Sequence, residues 1–414
     1  MLPAATPPTE PQAPAAPGQP IFAGETVMER PRPEFDPIGL RAGDFFWFPR
    51  AEADETYNNN IFATPSPTSS DLITTLQPSF DLLSSFPSNA LNLHGGAAFQ
   101  NYAEHPAQDT EDGFGAIDGR LDVTAGNWLY GGAQVAHLHL PRTSPDSPGN
   151  AAEPVTYNDY TVNAGYTQTR LRLGYQAELA VHGEGYNAVP LIGGGILPQD
   201  AQNLTVSQAA LRISYEWVPD YVGYARFAAN LREYEHVLPG SVRFNSTGYR
   251  GDFGLQILPR HIIYGDIYAG YLSQIYSASS FGSISGLDAG GRLVWNLTRL
   301  TTVTFTGLRA VNTSNPSIGI TGVGYLASAV TVDVSHELLR NLLLSATAGY
   351  ENDAFQGVSR TDNISSAGAS VKYLLNRNLY LGTSFQYQQR NSSGTAVGTP
   401  YAQSILMVRL ITQF

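Results

Sequence analysis

The stretch LRISYEWVPDYVGYAR, Leu211–Arg226, decides the fold. Leu211, Ile213, Tyr215 and Trp217 alternate with Arg212, Ser214 and Glu216. A period of two puts apolar and polar residues on opposite faces of a strand. Val218-Pro219-Asp220 then supplies turn chemistry, and the alternation resumes. Arg212 lies seven residues before Pro219 and Arg226 seven after it. A tight hairpin about the proline therefore makes them cross-strand neighbours on the polar face. Like charges in that position are destabilising unless acids or a bound anion intervene.

The same texture recurs from residue 40 to the end. In LRLGYQAELAV, Leu171–Val181, the row Leu171, Leu173, Tyr175, Ala177, Leu179, Val181 opposes Arg172, Gln176 and Glu178. In GLDAGGRLVWNL, Gly286–Leu297, Leu287, Leu293, Trp295 and Leu297 oppose Asp288, Arg292 and Asn296. The separators alternate in length. Eight short ones lie near Ser88, Gly126, Thr169, Pro219, Arg260, Thr298, Arg340 and Arg377. Nine long ones follow Asn58, Tyr102, Pro141 and Glu184, or lie near Pro239, Ser279, Asn315, Gly357 and Ser393. This predicts about 18 antiparallel strands, tightly joined at one end and loosely at the other. Closure into a cylinder removes the edges that so large an open sheet would expose. A soluble sandwich or propeller would have to pack the apolar faces together, and the connections show no blade-like repeat.

Composition agrees. Charged residues are only 14 %, and the chain holds 41 Gly and 23 Tyr. Ordinary globular domains carry about 25 % charge. No apolar run reaches the roughly 18 residues of a membrane helix. A net charge of −12 argues against a nucleic-acid partner. Cysteine is absent, which excludes thiolate chemistry. Residues 1–39 are rich in Pro and Ala and read as a disordered arm, leaving residues 40–414 for the barrel. The first residues lack the basic and apolar regions of a secretory signal, so an exported chain is expected to be numbered from its mature form.

FFWFPRAEADETYNNNIF from Phe45, DLITTLQPSFDLLS from Asp71 and VTYNDYTVNAGYTQTRLRLGYQAEL from Val155 resemble the putative β-barrel porin 2 family of Gram-negative outer membranes. The resemblance covers most of residues 40–414 and carries no catalytic motif. It implies an all-β, transmembrane, antiparallel up-and-down barrel with short periplasmic turns and long extracellular loops. It implies an outer-membrane location among outer-membrane lipid and lipopolysaccharide, transport of hydrophilic solutes, and export of extracellular polysaccharide as one form of it. Periplasmic export components and the barrel-assembly machinery are the implied partners. No cofactor is implied. The chain ends in YAQSILMVRLITQF, Tyr401–Phe414. Its terminal aromatic resembles the assembly signal of outer-membrane barrels, here Phe414 with Leu410, Val408 and Leu406.

On the polar parity, the charges expected to line a pore are Arg120, Arg172, Glu178, Arg212, Glu216, Arg226, Arg250, Asp252, Asp266, Asp288, Arg292, Lys372 and Arg409. Such a mixed ring sets an ion or solute preference, or else pairs internally and holds the barrel's shape. Arg120, Arg292, Lys372 and Arg409 are expected at similar height, five to seven residues from the tight turns. Tyr224, Tyr264, Tyr268 and Tyr380 share the inner parity, either filling space or offering flat faces to sugars. His137 and His139 lie two apart and read as rim histidines, with metal sharing as the rival reading. Gly193–Gly195 lacks the strand and helix of a phosphate cradle. The leading functional class is a channel. A structural or adhesive barrel using its loops is the alternative, and an outer-membrane hydrolase the third, without a GxSxG motif to support it.

Overall fold

The computed structural model describes residues 25–237, 243–316, 324–396 and 398–414. Eighteen long strands form one closed antiparallel sheet. They are β1 (Phe45–Asn58), β2 (Asp71–Ser84), β3 (Ala90–Tyr102), β4 (Thr110–Thr124), β5 (Asn127–His139) and β6 (Thr156–Arg170). Then follow β7 (Leu173–Tyr186), β8 (Leu204–Val218), β9 (Tyr221–Tyr234), β10 (Ser246–Ile257), β11 (Ile263–Tyr276) and β12 (Ser283–Thr298). The last are β13 (Thr301–Thr313), β14 (Gly324–Leu339), β15 (Leu342–Gln356), β16 (Arg360–Leu374), β17 (Leu379–Gly394) and β18 (Tyr401–Gln413). Each pairs with its neighbours in sequence, and β18 returns to β1 in the register Arg50↔Gln413 through Asn58↔Ile405. The hairpin about Pro219 has the expected register, with Arg212 directly opposite Arg226.

The short and long connections alternate as expected, with one departure in length. Residues 357–359, expected as a long loop, form a brief turn between β15 and β16. The β6–β7 turn is also displaced from its expected place at Thr169. It consists of Leu171 and Arg172, with Leu171 at φ 56° and 93 % exposed. Gly126, at φ 80°, makes the equivalent turn between β4 and β5, where a Cβ would press on the carbonyl oxygen of Thr169.

Such a wall has no central apolar core. Its outward rows are exposed and apolar: Leu211, Ile213, Tyr215 and Trp217 on β8, and Leu406, Val408 and Leu410 on β18. Inward tyrosines lie flat against glycines of the next strand, as Tyr224 does over its register partner Gly254. A Cβ at Gly254 would collide with that ring. The buried apolar clusters sit at the two ends of the barrel. Ala151, Val155 and Val189 pack together at the long-loop end. Leu374, Tyr380 and Ile411 pack at the short-turn end and receive Phe35.

Phe35 belongs to a segment expected to be disordered. For residues 25–39 that expectation is corrected; residues 1–24 lie outside the described residues, as does Pro239. Val27 is fully buried and donates its N–H to Thr302 Oγ1 at 3.0 Å. Asn296 Nδ2 donates to the Glu25 carbonyl at 3.1 Å, Arg340 to that of Pro31 at 3.2 Å and Arg377 to that of Pro33 at 2.9 Å. These partners come from β12, β13 and the short turns after β14 and β16. The segment is therefore a strap along the short-turn mouth, continuing into Leu40–Ala42, which pairs with the start of β1. Proline-rich composition concealed it because its prolines keep the carbonyls by which Pro31 and Pro33 are gripped, while the residues around them supply the N–H groups.

Candidate functional site

The interior of the cylinder is identified by contacts that only an inward side chain can make. Glu337 on β14 meets Arg32 of the strap at 2.8 Å. Arg390 on β17 donates to the Thr143 carbonyl, in the β5–β6 loop, at 3.1 Å. The parity row through these residues is the polar one on every strand considered next.

On β8–β12 the charges interlock. Arg226 takes Asp252, with Nε and Nη2 at 3.0 and 2.6 Å from Oδ2. Arg212, facing Arg226 across the hairpin, turns away from it. Its guanidinium lies 3.9 Å from the Tyr224 ring centroid and donates to Gln256 Oε1 at 2.8 Å. An acid thus engages one guanidinium and an aromatic ring the other. Arg250 Nε meets Asp288 Oδ2 at 2.5 Å. Asp252 and Asp288 are almost wholly buried. Asp266 is opposite the exposed Arg292 in the register. Glu216 accepts the Asp220 backbone N–H at 2.8 Å and so fixes the turn.

Elsewhere on the wall, Arg120 pairs with Asp122 at 2.6 Å and lies over Trp128. Glu178 accepts the Tyr130 hydroxyl at 2.7 Å. Arg409 grips Asp54 and Glu52, each at 2.8 Å. Lys372 and Arg409, two of the four residues expected at similar height, share one register row through Gly382. Arg172 is the exception: the structure corrects its expected place on the wall, since it belongs to the exposed β6–β7 turn. Leu171 carried the apolar alternation one residue too far.

Tyr224, Tyr268 and Tyr380 do face inward, but each has a cation over its ring: Arg212, Arg226 and Lys372 at 3.9, 4.8 and 4.5 Å. The cations cover the faces on which sugars would stack, which fits the space-filling alternative. His137 bonds Asn158 and His139 bonds Asp112, so the two share no ligand. Sequence reasoning passed over His94, whose ring nitrogens lie 2.6 Å from Asp81 and 2.9 Å from Asp118. It also missed His182 beside Asp159 and Glu184. Inner parity combined with nearby acids on adjoining strands was the available signal.

The wall's charge is uneven. Its β1–β7 arc is acidic, with Glu52, Asp54, Asp81, Asp118, Asp159 and Glu184 against Arg50 and Arg120. The β8–β12 arc is close to balanced: Arg212, Arg226, Arg232, Arg250 and Arg292 stand beside Glu216, Asp252, Asp266 and Asp288. An acidic arc beside a near-neutral one gives a field across the lumen, strengthened by the low-dielectric wall.

Both mouths are narrowed. At the short-turn end the strap is held by buried Arg32, which donates to the Val27 carbonyl and Glu337. At the other end the β5–β6 loop reaches the far side. Asn315, just beyond β13, donates its N–H to Asp146 Oδ1 at 2.8 Å, and its Nδ2 to the Asp146 carbonyl and Gln199. Enclosure among these loops pushes the Asp146 carboxyl up to about 6.

Leu406, Val408 and Leu410 form one outward row facing Tyr57, Glu55 and Ala53 of β1. Phe414 continues that parity and donates its N–H to the Pro49 carbonyl at 3.2 Å.

Among curated proteins the sequence has no match. Solved structures resemble it in shape at low identity. The ferric citrate transporter FecA, unliganded, aligns with a TM-score of 0.48 and 10 % identity over 89 % of this chain and 64 % of that one. The chain thus spans just under two thirds of FecA's length. Pseudomonas aeruginosa OccK1 (OpdK) aligns with a TM-score of 0.46 and 11 % identity, covering 89 % of this chain and 99 % of that one. The FrpB iron transporter of Neisseria meningitidis gives 0.47 and 7 %, covering 91 % and 83 %. The sequence profile described as "Putative beta-barrel porin 2" matches residues 32–414, the later part of the strap included, and the chain belongs to that family.

Proposed function

We propose that the protein is an outer-membrane channel for hydrophilic solutes, with the short turns in the periplasm and the long loops outside the cell. One observation carries the reading: an apolar, lipid-facing wall encloses a polar interior lined by charged side chains, with the acids in excess on the β1–β7 arc. A wall of about 18 strands encloses more space than its side chains fill. The charges along the wall then act as the selectivity surface, and Phe414 with its outward row serves as the assembly signal. The wall residues are read as handling passage rather than catalysis. Extracellular polysaccharide is the largest cargo this reading admits, resting on the family resemblance. Liposome swelling with neutral saccharides of increasing size tests it. A size-graded permeability supports the channel; impermeability to the smallest saccharide favours the structural or adhesive barrel, for which the loop contact between Asp146 and Asn315 would be a permanent plug.

A further inference from the structure

The ladder between β12 and β13 is incomplete. It pairs Gly291–Trp295 with Gly307–Val303 and, near the turn, Thr298 with Thr301. Above Gly291 and Gly307 the two strands have no pairs, although β12 stays bonded to β11 up to Ser283 and β13 to β14 up to Thr313. The wall forks in its extracellular half. Glycines mark the fork: Gly291 has φ 147°, and a Cβ at Gly290 would lie 2.7 Å from the Gly307 carbonyl oxygen.

Beyond the fork the β13 edge tucks inside the barrel. Val311 and Leu326 pack on the cluster of Tyr276 and Ile284 from β11 and β12. Carbonyls that a neighbouring strand would otherwise satisfy are taken by arginines from farther round the wall. Arg232 Nη2 donates to Val311 O at 2.8 Å and Arg250 Nη2 to Arg309 O at 3.0 Å. Among the described residues, Nε and Nη1 of Arg232 and Nε of Arg309 are enclosed without a hydrogen-bond partner. On the edges themselves, Leu287 and Leu308 are exposed, at 57 % and 54 %.

An unpaired edge at membrane depth is costly, because lipid offers its backbone groups no partner. Here the edges overlap without bonding, held by apolar contacts and two side-chain bonds that can be remade. We propose that this seam is a lateral port between the lumen and the outer leaflet, and that its ligand is an anionic amphiphile. Apolar edge residues suit a hydrocarbon chain, and the unsatisfied guanidinium N–H groups inside suit an anionic head. The port does not depend on the axial channel: a barrel plugged along its axis could still use it.

The native chain has no cysteine, so paired cysteines can be introduced cleanly. Ile284→Cys with Val311→Cys staples the overlap; Leu293→Cys with Phe305→Cys staples a register pair below the fork. Full-length protein in proteoliposomes is titrated with a fluorescent fatty acid and with the uncharged alcohol of the same chain. Expected are saturable binding of the acid, an at least tenfold loss with the seam staple that reduction reverses, and no loss with the lower staple. Arg232→Gln should weaken the acid about tenfold and leave the alcohol unchanged. Equal binding with the seam stapled, or no saturable binding by the native protein, overturns the port. Axial conductance is recorded on the same samples, so failure of the port and failure of the channel are told apart. Hydrogen exchange on the native protein needs no variant. Residues 284–290 and 308–312 should exchange faster than 291–295 and 303–307, and equal protection means a zipped wall and no port.

Discussion

The Arg32 guanidinium and the Glu337 carboxylate meet at 2.8 Å across 305 residues of sequence, with little exposure to water on either side. Removing one partner of a buried pair leaves the other charge unpaired, a loss of about 3–5 kcal/mol where burial is complete. Arg32→Ala should therefore release the strap while the 18-strand wall remains. Limited proteolysis checks this: cleavage within residues 25–39 should become rapid in the variant, with the barrel fragment staying heat-modifiable. Unchanged resistance would mean that Phe35 and the carbonyl contacts hold the strap by themselves.

Arg226 and Asp252 neutralise each other on the β8–β12 arc, so removing either leaves the other's charge facing the lumen. Arg226→Glu should shift the reversal potential toward cation selectivity in a salt gradient. Asp252→Asn should shift it toward anions. Stability is expected to fall in both, because each leaves a partner unpaired, so the test is the opposite direction of the two shifts.

How far the sequence can be read is clear at this hairpin. Counting seven residues either side of Pro219 places Arg212 opposite Arg226, because strand register follows from turn position. The identity of their relief, Asp252 for one and the Tyr224 ring for the other, depends on the third strand and on side-chain conformation. Arg172 was misplaced because Leu171, though apolar, occupies a turn. The strap was hidden because its contacts are long-range and its composition is that of a linker. The β12–β13 fork has no sequence signature beyond its glycines, which are equally common in intact strands of this chain.

Asp146 carries a pH dependence. Its carboxyl, pushed up from 3.8 to about 6, favours the docked loop when protonated. Docking should be firmest below about pH 4, weaken as pH rises toward 6, and level off above it. The change should be smaller than the roughly hundredfold a two-unit shift allows, since lumen water reaches the group. Hydrogen exchange in residues 140–155 across this range is the readout, and Asp146→Asn should abolish the step while keeping an acceptor for Asn315.

Phe414 is exposed and packs little, so deleting it should cost the finished barrel less than about 1 kcal/mol. Its proposed role lies in assembly. The deletion should lower the amount of barrel reaching the outer membrane several-fold, measured by fractionation, with the thermal stability of the surviving protein unchanged. Equal amounts would remove the terminal row from the assembly account.

The channel itself is tested most directly by planar-bilayer recording of the purified full-length protein. Stepwise insertion of open conductances is the predicted result, with a reversal potential that moves in opposite directions for Arg226→Glu and Asp252→Asn. Folded barrels that insert yet stay silent at every voltage, with the strap in place and with it released, would contradict the account.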